Sequence, residues 1–289
     1  MKHRHKYEYK LDIHGSSAQA AVVRMVGKGK RVLEIGAGPG SITRILKEHN
    51  GCNITAVEID SEAIQRLSPF CELVYQSDLN DQAWPSALPK NDKFEVVVAA
   101  DVLEHLDNPL ATLMSMRDIL NLYGDVVVSL PHIGHCAAVG CLSQHNFELQ
   151  DWGLLDKTHT QFFDIDKIQQ LFDDAGFKII EAEFIVLPPE QTELAYFWRR
   201  IPKETKNVLK GGRFSMVYQV VIKAELNTSS QQGLLLSALP IPHPVRTSSG
   251  PMSPRTKIVR LIKKNVLPYL HPRTRLRMRD FLYMIGFKF

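Results

Sequence analysis

The chain has 289 residues, 44% of them hydrophobic and 23% charged, which is enough apolar material for a packed core at an ordinary globular charge density. No apolar run reaches the roughly 18 residues of a membrane-spanning helix, and the opening Met1-Lys2-His3-Arg4-His5-Lys6 lacks the character of a secretory leader. The formal net charge of +4 is divided unevenly: residues 251–289 hold ten Lys/Arg against the single acid Asp280, so residues 1–250 carry a net −5.

In chain order, Arg31 to Ile35 is a short apolar run ending in a glycine-rich turn, which predicts a buried strand. Helical character follows over Ser41 to Lys47. A second strand is predicted over Asn53 to Ile59, and Ser61 is expected as the N-cap of the next helix. Glu72 to Gln76 and Phe94 to Ala99 are the third and fourth strands, the latter apolar enough to be buried on both faces. The spacing predicts a helix over Pro109 to Leu122 and a fifth strand over Asp125 to Leu130. This alternation argues for a parallel sheet flanked by helices.

Beyond it, Pro131 to Thr160 reads as a long irregular insertion rich in His and aromatic residues. A helix is predicted over Asp164 to Ala175, with Gly176 ending it. Phe177 to Val186 and Phe214 to Lys223 are the last strand candidates, separated by a partly helical stretch over Leu194 to Leu209, and as successive strands they suggest an antiparallel edge pair. Asn227 to Pro254, rich in Ser, Pro, Gly and Gln, has linker composition. The domain reading is therefore a body over 1–226, a linker over 227–254 and a basic amphipathic tail over 255–289.

The loop Glu34-Ile35-Gly36-Ala37-Gly38-Pro39-Gly40-Ser41 lies between a strand and a helix, the context in which bare backbone can meet a ligand. A dinucleotide fingerprint wants glycine at its first, third and sixth positions. Here the sixth is Ser41, while Gly40 takes the fifth, a spacing that fits the methionine moiety of S-adenosyl-L-methionine better than a pyrophosphate. A phosphate-binding loop of the Gly-Lys-Ser/Thr kind is excluded. Glu58 ends the second strand 22 positions after Gly36, placed to accept bonds from two ribose hydroxyls. Asp60 faces away or caps the next helix. Asp78, past the third strand, is placed to receive an adenine amino group.

The ordered set VLEIGAGPGSIT (32–43), AVEID (56–60), SDLND (77–81), DVLEHLDNP (101–109) and GDVVVSLP (124–131) resembles the class I S-adenosylmethionine-dependent methyltransferases, in the group that includes ubiquinone and menaquinone methyltransferases. The resemblance covers roughly residues 30–225. It implies a Rossmann-like α/β fold, a seven-stranded mostly parallel sheet with one antiparallel edge strand, and S-adenosyl-L-methionine as methyl donor. It carries Gly36, Gly38 and Gly40 over as donor contacts, Glu58 to the ribose, Asp78 to the adenine and Asp101 to the border of sulfonium and acceptor. Glu34, Ala37, Ile59 and Leu79 complete the cofactor set.

Methyl transfer from a sulfonium needs chiefly an aligned acceptor and exclusion of water, with a base where the acceptor is a hydroxyl. Ligands of such sheets lie beyond the carboxyl ends of the strands. That directs attention to Asp101, Glu104, His105, His132 and His135, and to Asp156 and His159 of LLDKTHTQFFD (154–164). This last stretch resembles a D-x-T-H-x-R-F-F motif of bacterial methyltransferases associated with glycan assembly, with Gln161 in place of the arginine. As base, His135 ranks first, His132 second and His159 third, with Asp156 as orienter; each histidine is equally readable as a hydrogen-bonding element of the insertion. His105 reads as structural or cofactor-shielding. His132, His135, Cys136, Cys141 and His145 match no paired zinc spacing, so no metal is expected.

An O-methyltransferase acting on a sugar or glycan intermediate is thus expected, with a quinone-like or other lipophilic acceptor as the alternative and a non-catalytic scaffold retaining the fold as the reading from another class. A DNA-base enzyme is disfavoured, because Asp101-Val102-Leu103-Glu104 stands where an Asn/Asp-Pro-Pro-aromatic motif belongs, and the acidic body offers no phosphate-binding face. Four irregularly spaced cysteines, Cys52, Cys71, Cys136 and Cys141, suit a reducing cytoplasm. The tail places Ile258, Leu261, Ile262 and Val266 on one stripe beside Lys257, Arg260, Lys263 and Lys264. Such a segment suits peripheral contact with the inner membrane face, or packing on the domain or a second subunit.

Overall fold

The structure is a computed structural model that describes residues 11–89, 93–228 and 232–243 and five positions between 266 and 278. Its elements in chain order are α1 (Ala18–Val26), β1 (Arg31–Ile35), α2 (Ser41–Glu48), β2 (Asn53–Glu58), α3 (Ser61–Leu67), β3 (Leu73–Gln76), β4 (Phe94–Ala100), α4 (Pro109–Ile119), β5 (Leu120–Pro131), α5 (Cys136–Ser143), α6 (Ile165–Asp174), β6 (Phe177–Val186), α7 (Ala195–Arg200), α8 (Lys203–Lys210) and β7 (Val217–Leu226). The strands form one seven-stranded sheet in the order β3-β2-β1-β4-β5-β7-β6. From β3 through β5 all pairings are parallel, while β7 runs antiparallel to β5, from Asp125↔Glu225 to Pro131↔Gln219. The chain order reverses beside β1, between β2 and β4, the switch point outside which ligands bind in open α/β sheets.

Contacts divide the chain into two compact units. The first comprises residues 1–132, 159–185 and 219–240; the second comprises 133–158, 186–218 and 241–289. In the first unit the central strands are apolar on both faces, and Val32, Ile54, Val96, Val98, Val127 and Val221 pack in one core with Ala21, Val22 and Met25 of α1 and Leu46 of α2. In the second unit α5, α7 and α8 pack together. Gly140 of α5 permits the close approach: a Cβ there would lie 2.5 Å from Ile201 Cδ1 and 3.2 Å from Trp198 Cζ3.

Several boundaries differ from the expectations for local physical reasons. Asp60, not Ser61, is the N-cap of α3, its carboxylate accepting from Glu62 N at 2.8 Å. The helix α4 stops at Ile119, because Leu120 is already extended and pairs with Phe94 across an irregularity that restores register at Val96↔Asp125. β7 begins at Val217 rather than Phe214, and α5 gives regular structure to the stretch read as irregular. The antiparallel strand β7 sits one place in, with β6 forming the edge. Within the span of linker composition, Leu236 is buried; Leu234 N donates to Ile179 O at 2.7 Å and Leu236 N to Gln169 Oε1 at 3.0 Å.

Of the amphipathic stripe expected over Arg255 to Leu267, Ile258, Leu261 and Ile262 lie outside the described residues, while Val266 is described and exposed. Tyr269 is described: Arg199 Nη1 donates to its hydroxyl at 3.1 Å, and the guanidinium lies 4.4 Å from its ring centre. Among the described residues no helix is long and apolar enough to cross a membrane.

Candidate active site

β1 is buried from Val32 onward and delivers Glu34 and Gly36 to the carboxyl edge of the sheet. Gly36 N donates to Val57 O at 2.8 Å, drawing the turn against β2. Its φ of 63° is left-handed, and a Cβ would lie 2.7 Å from Val102 Cγ2, so both conformation and space demand glycine. Gly40 is the N-cap of α2, and its N donates to Ala37 O at 3.2 Å.

Two buried carboxylates support this loop. Glu58 Oε2 accepts from Gly38 N at 2.6 Å, while Oε1 accepts from Ile59 N at 2.8 Å and Asp60 N at 2.9 Å. One side chain at the end of β2 therefore holds the glycine loop and its own turn together, short charge-assisted bonds that fix the loop in advance of any ligand. Glu34 lies deeper. Thr43 Oγ1 donates to its Oε2 at 2.7 Å. Burial pushes its carboxyl up to about 7, Thr43 partly offsets this, and the charge of Glu58 adds to it. Beyond Glu58, Ile59 leaves 57% of its surface exposed, an apolar face beside the loop. Asp78 is exposed and its Oδ1 accepts from Asn80 N at 2.9 Å, whereas Leu79 is buried. Asn80 Oδ1 accepts from Asp107 N at 2.9 Å, tying the turn after β3 to the segment after β4.

Asp101 follows β4 with φ 56°, left-handed backbone that costs a non-glycine residue on the order of 1–3 kcal/mol. Four contacts hold it there. Its N donates to Ser129 Oγ at 3.0 Å, its Oδ1 accepts from Ser129 Oγ at 2.6 Å and Gln219 Nε2 at 2.8 Å, and its Oδ2 accepts from Gln19 Nε2 at 3.3 Å. Burial raises its carboxyl above the usual aspartate range, partly offset by the Ser129 bond and by the nearby His105. Next along, Glu104 is buried, and one of its carboxylate oxygens forms a group with one ring nitrogen each of His105 and His159, the three atoms all within 4.8 Å of one another.

The expected bases separate. His135, ranked first, is wholly buried as the N-cap of α5. Its Nδ1 accepts from Ala137 N at 3.2 Å and its Nε2 bonds Leu187 O at 2.8 Å, so the ring is a neutral tautomer with both nitrogens used. Desolvation lowers it to about 4. A cap engaged at both nitrogens holds its one lone pair on Ala137 N rather than free for an acceptor proton. Asp156 spends its Oδ1 on Thr158 N at 2.8 Å and Thr158 Oγ1 at 2.7 Å, organising its own turn. His132 is buried, with a parallel bridge from its backbone to Phe163. His159 is brought to the carboxyl edge of the sheet, its ring 4.8 Å from that of His105.

Residues 4–182 match the model of a family described as "Methyltransferase domain". The chain belongs to that family. As a class I S-adenosylmethionine-dependent methyltransferase domain it takes S-adenosyl-L-methionine as cofactor, and the recognition from the five motifs is borne out. A ubiquinone biosynthesis O-methyltransferase of Aeromonas salmonicida is 27% identical over 106 residues, 35% of this chain and 43% of that protein. Its counterpart from Actinobacillus pleuropneumoniae is 26% identical over 98 residues, 32% of this chain and 42% of that protein. The matched stretch thus spans less than half the length of these curated relatives. A solved structure from Bacillus halodurans, described as a candidate methyltransferase, superposes with a TM-score of 0.52 at 17% identity, over 74% of this chain and 100% of that one, and bears on the fold.

In this methyltransferase domain the motif residues at the glycine loop, Glu58 and Asp101 come together along one edge of the first unit. Sequence reading passed over the partners of Asp101. Gln19 and Gln219 come from the two ends of the domain and carry no motif; only the sheet order, which puts β7 next to β5, makes Gln219 reach Asp101.

Proposed function

We propose that this chain catalyses transfer of the methyl group of S-adenosyl-L-methionine to a hydroxyl of a small-molecule or glycan acceptor. The backbone of Gly36 to Gly40 carries the methionine part of the donor, Glu58 the ribose hydroxyls, and Asp78 with Ile59 and Leu79 the adenine. Asp101 borders the sulfonium, and its carboxylate, oriented by Ser129, Gln219 and Gln19, faces the positive charge that disappears during transfer. The acceptor oxygen attacks the methyl carbon in line, the carbon–sulfur bond breaks toward sulfur to leave S-adenosylhomocysteine, and the hydroxyl proton must leave. With His135 committed to its cap, the hydroxyl proton leaves on the side of the site where Glu104, His105 and His159 lie.

The observation that carries this reading is the convergence of the glycine loop, Glu58 and Asp101 at the topological switch point. The D-x-T-H motif at 156–159 supports a sugar or glycan hydroxyl. A hydroxyl on a quinone-like ring is the second reading, supported by the names of the two curated relatives. The test is calorimetry with S-adenosylmethionine and S-adenosylhomocysteine, followed by an acceptor panel read as S-adenosylhomocysteine release. Binding of both and turnover on one acceptor class supports the proposal. Absence of binding would instead leave a scaffold retaining the fold.

A further inference from the structure

Three metal-ligand side chains meet just beyond β4. Glu104 and His105 are consecutive in the one-turn helix Leu103–His105, and His159 arrives from more than fifty positions later. One ligand atom from each lies within 4.8 Å of the others, and the two imidazole rings stand 4.8 Å apart at 70°. The arrangement is fixed by backbone rather than by chance side-chain proximity. Glu104 O accepts from Thr160 N at 2.9 Å and Gln161 N at 3.0 Å, and Leu106 O accepts from Thr160 Oγ1 at 2.9 Å. The residue after His159 is thereby stitched to both sides of His105. Glu104 is 1% exposed, and a carboxylate removed so far from water favours a neighbouring positive charge.

The geometry points to a divalent cation site formed by Glu104, His105 and His159, in which the cation also binds the acceptor hydroxyl. Two imidazoles and one carboxylate suit borderline cations such as zinc, cobalt(II) or iron(II). Three protein ligands leave at least one coordination position open, the pattern of a catalytic rather than a structural centre. Asp101 is no fourth ligand, since both its oxygens are held by Ser129, Gln219 and Gln19. The cation would supply Lewis acidity: it lowers the pKa of a bound hydroxyl enough for its proton to pass to water near neutral pH. The resulting oxygen displaces sulfur from the methyl group, so a carbon–oxygen bond forms, the carbon–sulfur bond breaks, and the electron pair stays on S-adenosylhomocysteine. This role rests on the methyl-transfer reading; the cation site itself does not.

The experiment uses the full chain, stripped of metal by chelator and dialysed, then titrated with cobalt(II) under visible absorption. The expected result is one equivalent taken up with a ligand-field band that zinc abolishes. H105A, H159A and E104Q should each weaken uptake by more than about tenfold, while H145A, at an exposed histidine outside the group, leaves it unchanged. S-adenosylhomocysteine calorimetry on the same samples reports folding and donor binding independently, and H159N replaces H159A if the latter does not fold. No uptake by the wild type, or equal uptake by the His105 and His159 variants, overturns the cation site. Uptake with loss in those variants but no S-adenosylhomocysteine binding by any sample leaves the site standing and sinks the methyl-transfer reading instead.

Discussion

Glu34→Gln isolates a buried acid that the donor loop is built around. Burial raises this carboxyl from 4.5 to about 7, and Thr43 donates to it in either protonation state. The unfolded chain ionises it near 4.5, so between there and about 7 the folded state holds a proton that the unfolded state has released. Stability from this group is full below the unfolded value and is lost as pH rises through the folded one. At about 1.4 kcal/mol per pH unit, a separation of roughly 2.5 units amounts to ~3 kcal/mol lost by pH 8. Glutamine keeps the shape and an acceptor for Thr43 but cannot ionise. The variant should therefore unfold like the wild type near pH 4.5 and gain on it steadily to about pH 7, ending ~3 kcal/mol ahead, or about 6 °C in Tm at roughly 2 °C per kcal/mol. Urea and thermal unfolding of both proteins from pH 4.5 to 8.5 without donor make the comparison. Parallel stability curves across that range would refute the reasoning, and with it the upward shift of the Glu34 carboxyl by burial.

Four further outcomes follow from the geometry. Glu58→Ala removes the carboxylate that accepts from Gly38, Ile59 and Asp60; charge-assisted bonds are each worth about 1.5–3 kcal/mol, so S-adenosylhomocysteine affinity by calorimetry should fall by at least ~100-fold. Gly36→Ala forces a Cβ to 2.7 Å from Val102 Cγ2 at left-handed φ, costing about 1–3 kcal/mol and donor affinity, and Val102→Ala in the same chain should recover part of both. His135→Ala should cost about 2–4 kcal/mol in urea unfolding through the lost cap and the stranded Leu187 carbonyl, with S-adenosylhomocysteine affinity retained. Because His135 is held down at about 4, its contribution is present above the ordinary value of 6.5 and lost as pH falls toward 4, so the wild-type advantage over the variant should shrink on acidification. Asp101→Asn keeps the hydrogen-bonding shape but removes the charge, and S-adenosylmethionine should lose more affinity than S-adenosylhomocysteine, whose sulfur is neutral; equal losses would refute the placement of Asp101 at the sulfonium.

The features legible in the amino-acid order were local ones. Continuous apolar runs announced the strands, and the turn from Glu34 to Ser41 announced its backbone demands, because glycine at left-handed φ and an acid at a strand end are encoded within a few residues. The motif set reached the family for the same reason. Tertiary structure decided everything that depends on which distant segments meet. Placing β7 beside β5 brought Gln219 to Asp101, and closing Thr160 onto Glu104 brought His159 to His105, neither of which has any sequence periodicity to betray it. The partners of His135 were hidden on the same ground: a histidine after a strand end looks identical in sequence whether its nitrogens face an acceptor or are spent on Ala137 and Leu187. Burial and hydrogen-bond partners, which set what an ionisable side chain can do, belong to the packed chain and not to its local order.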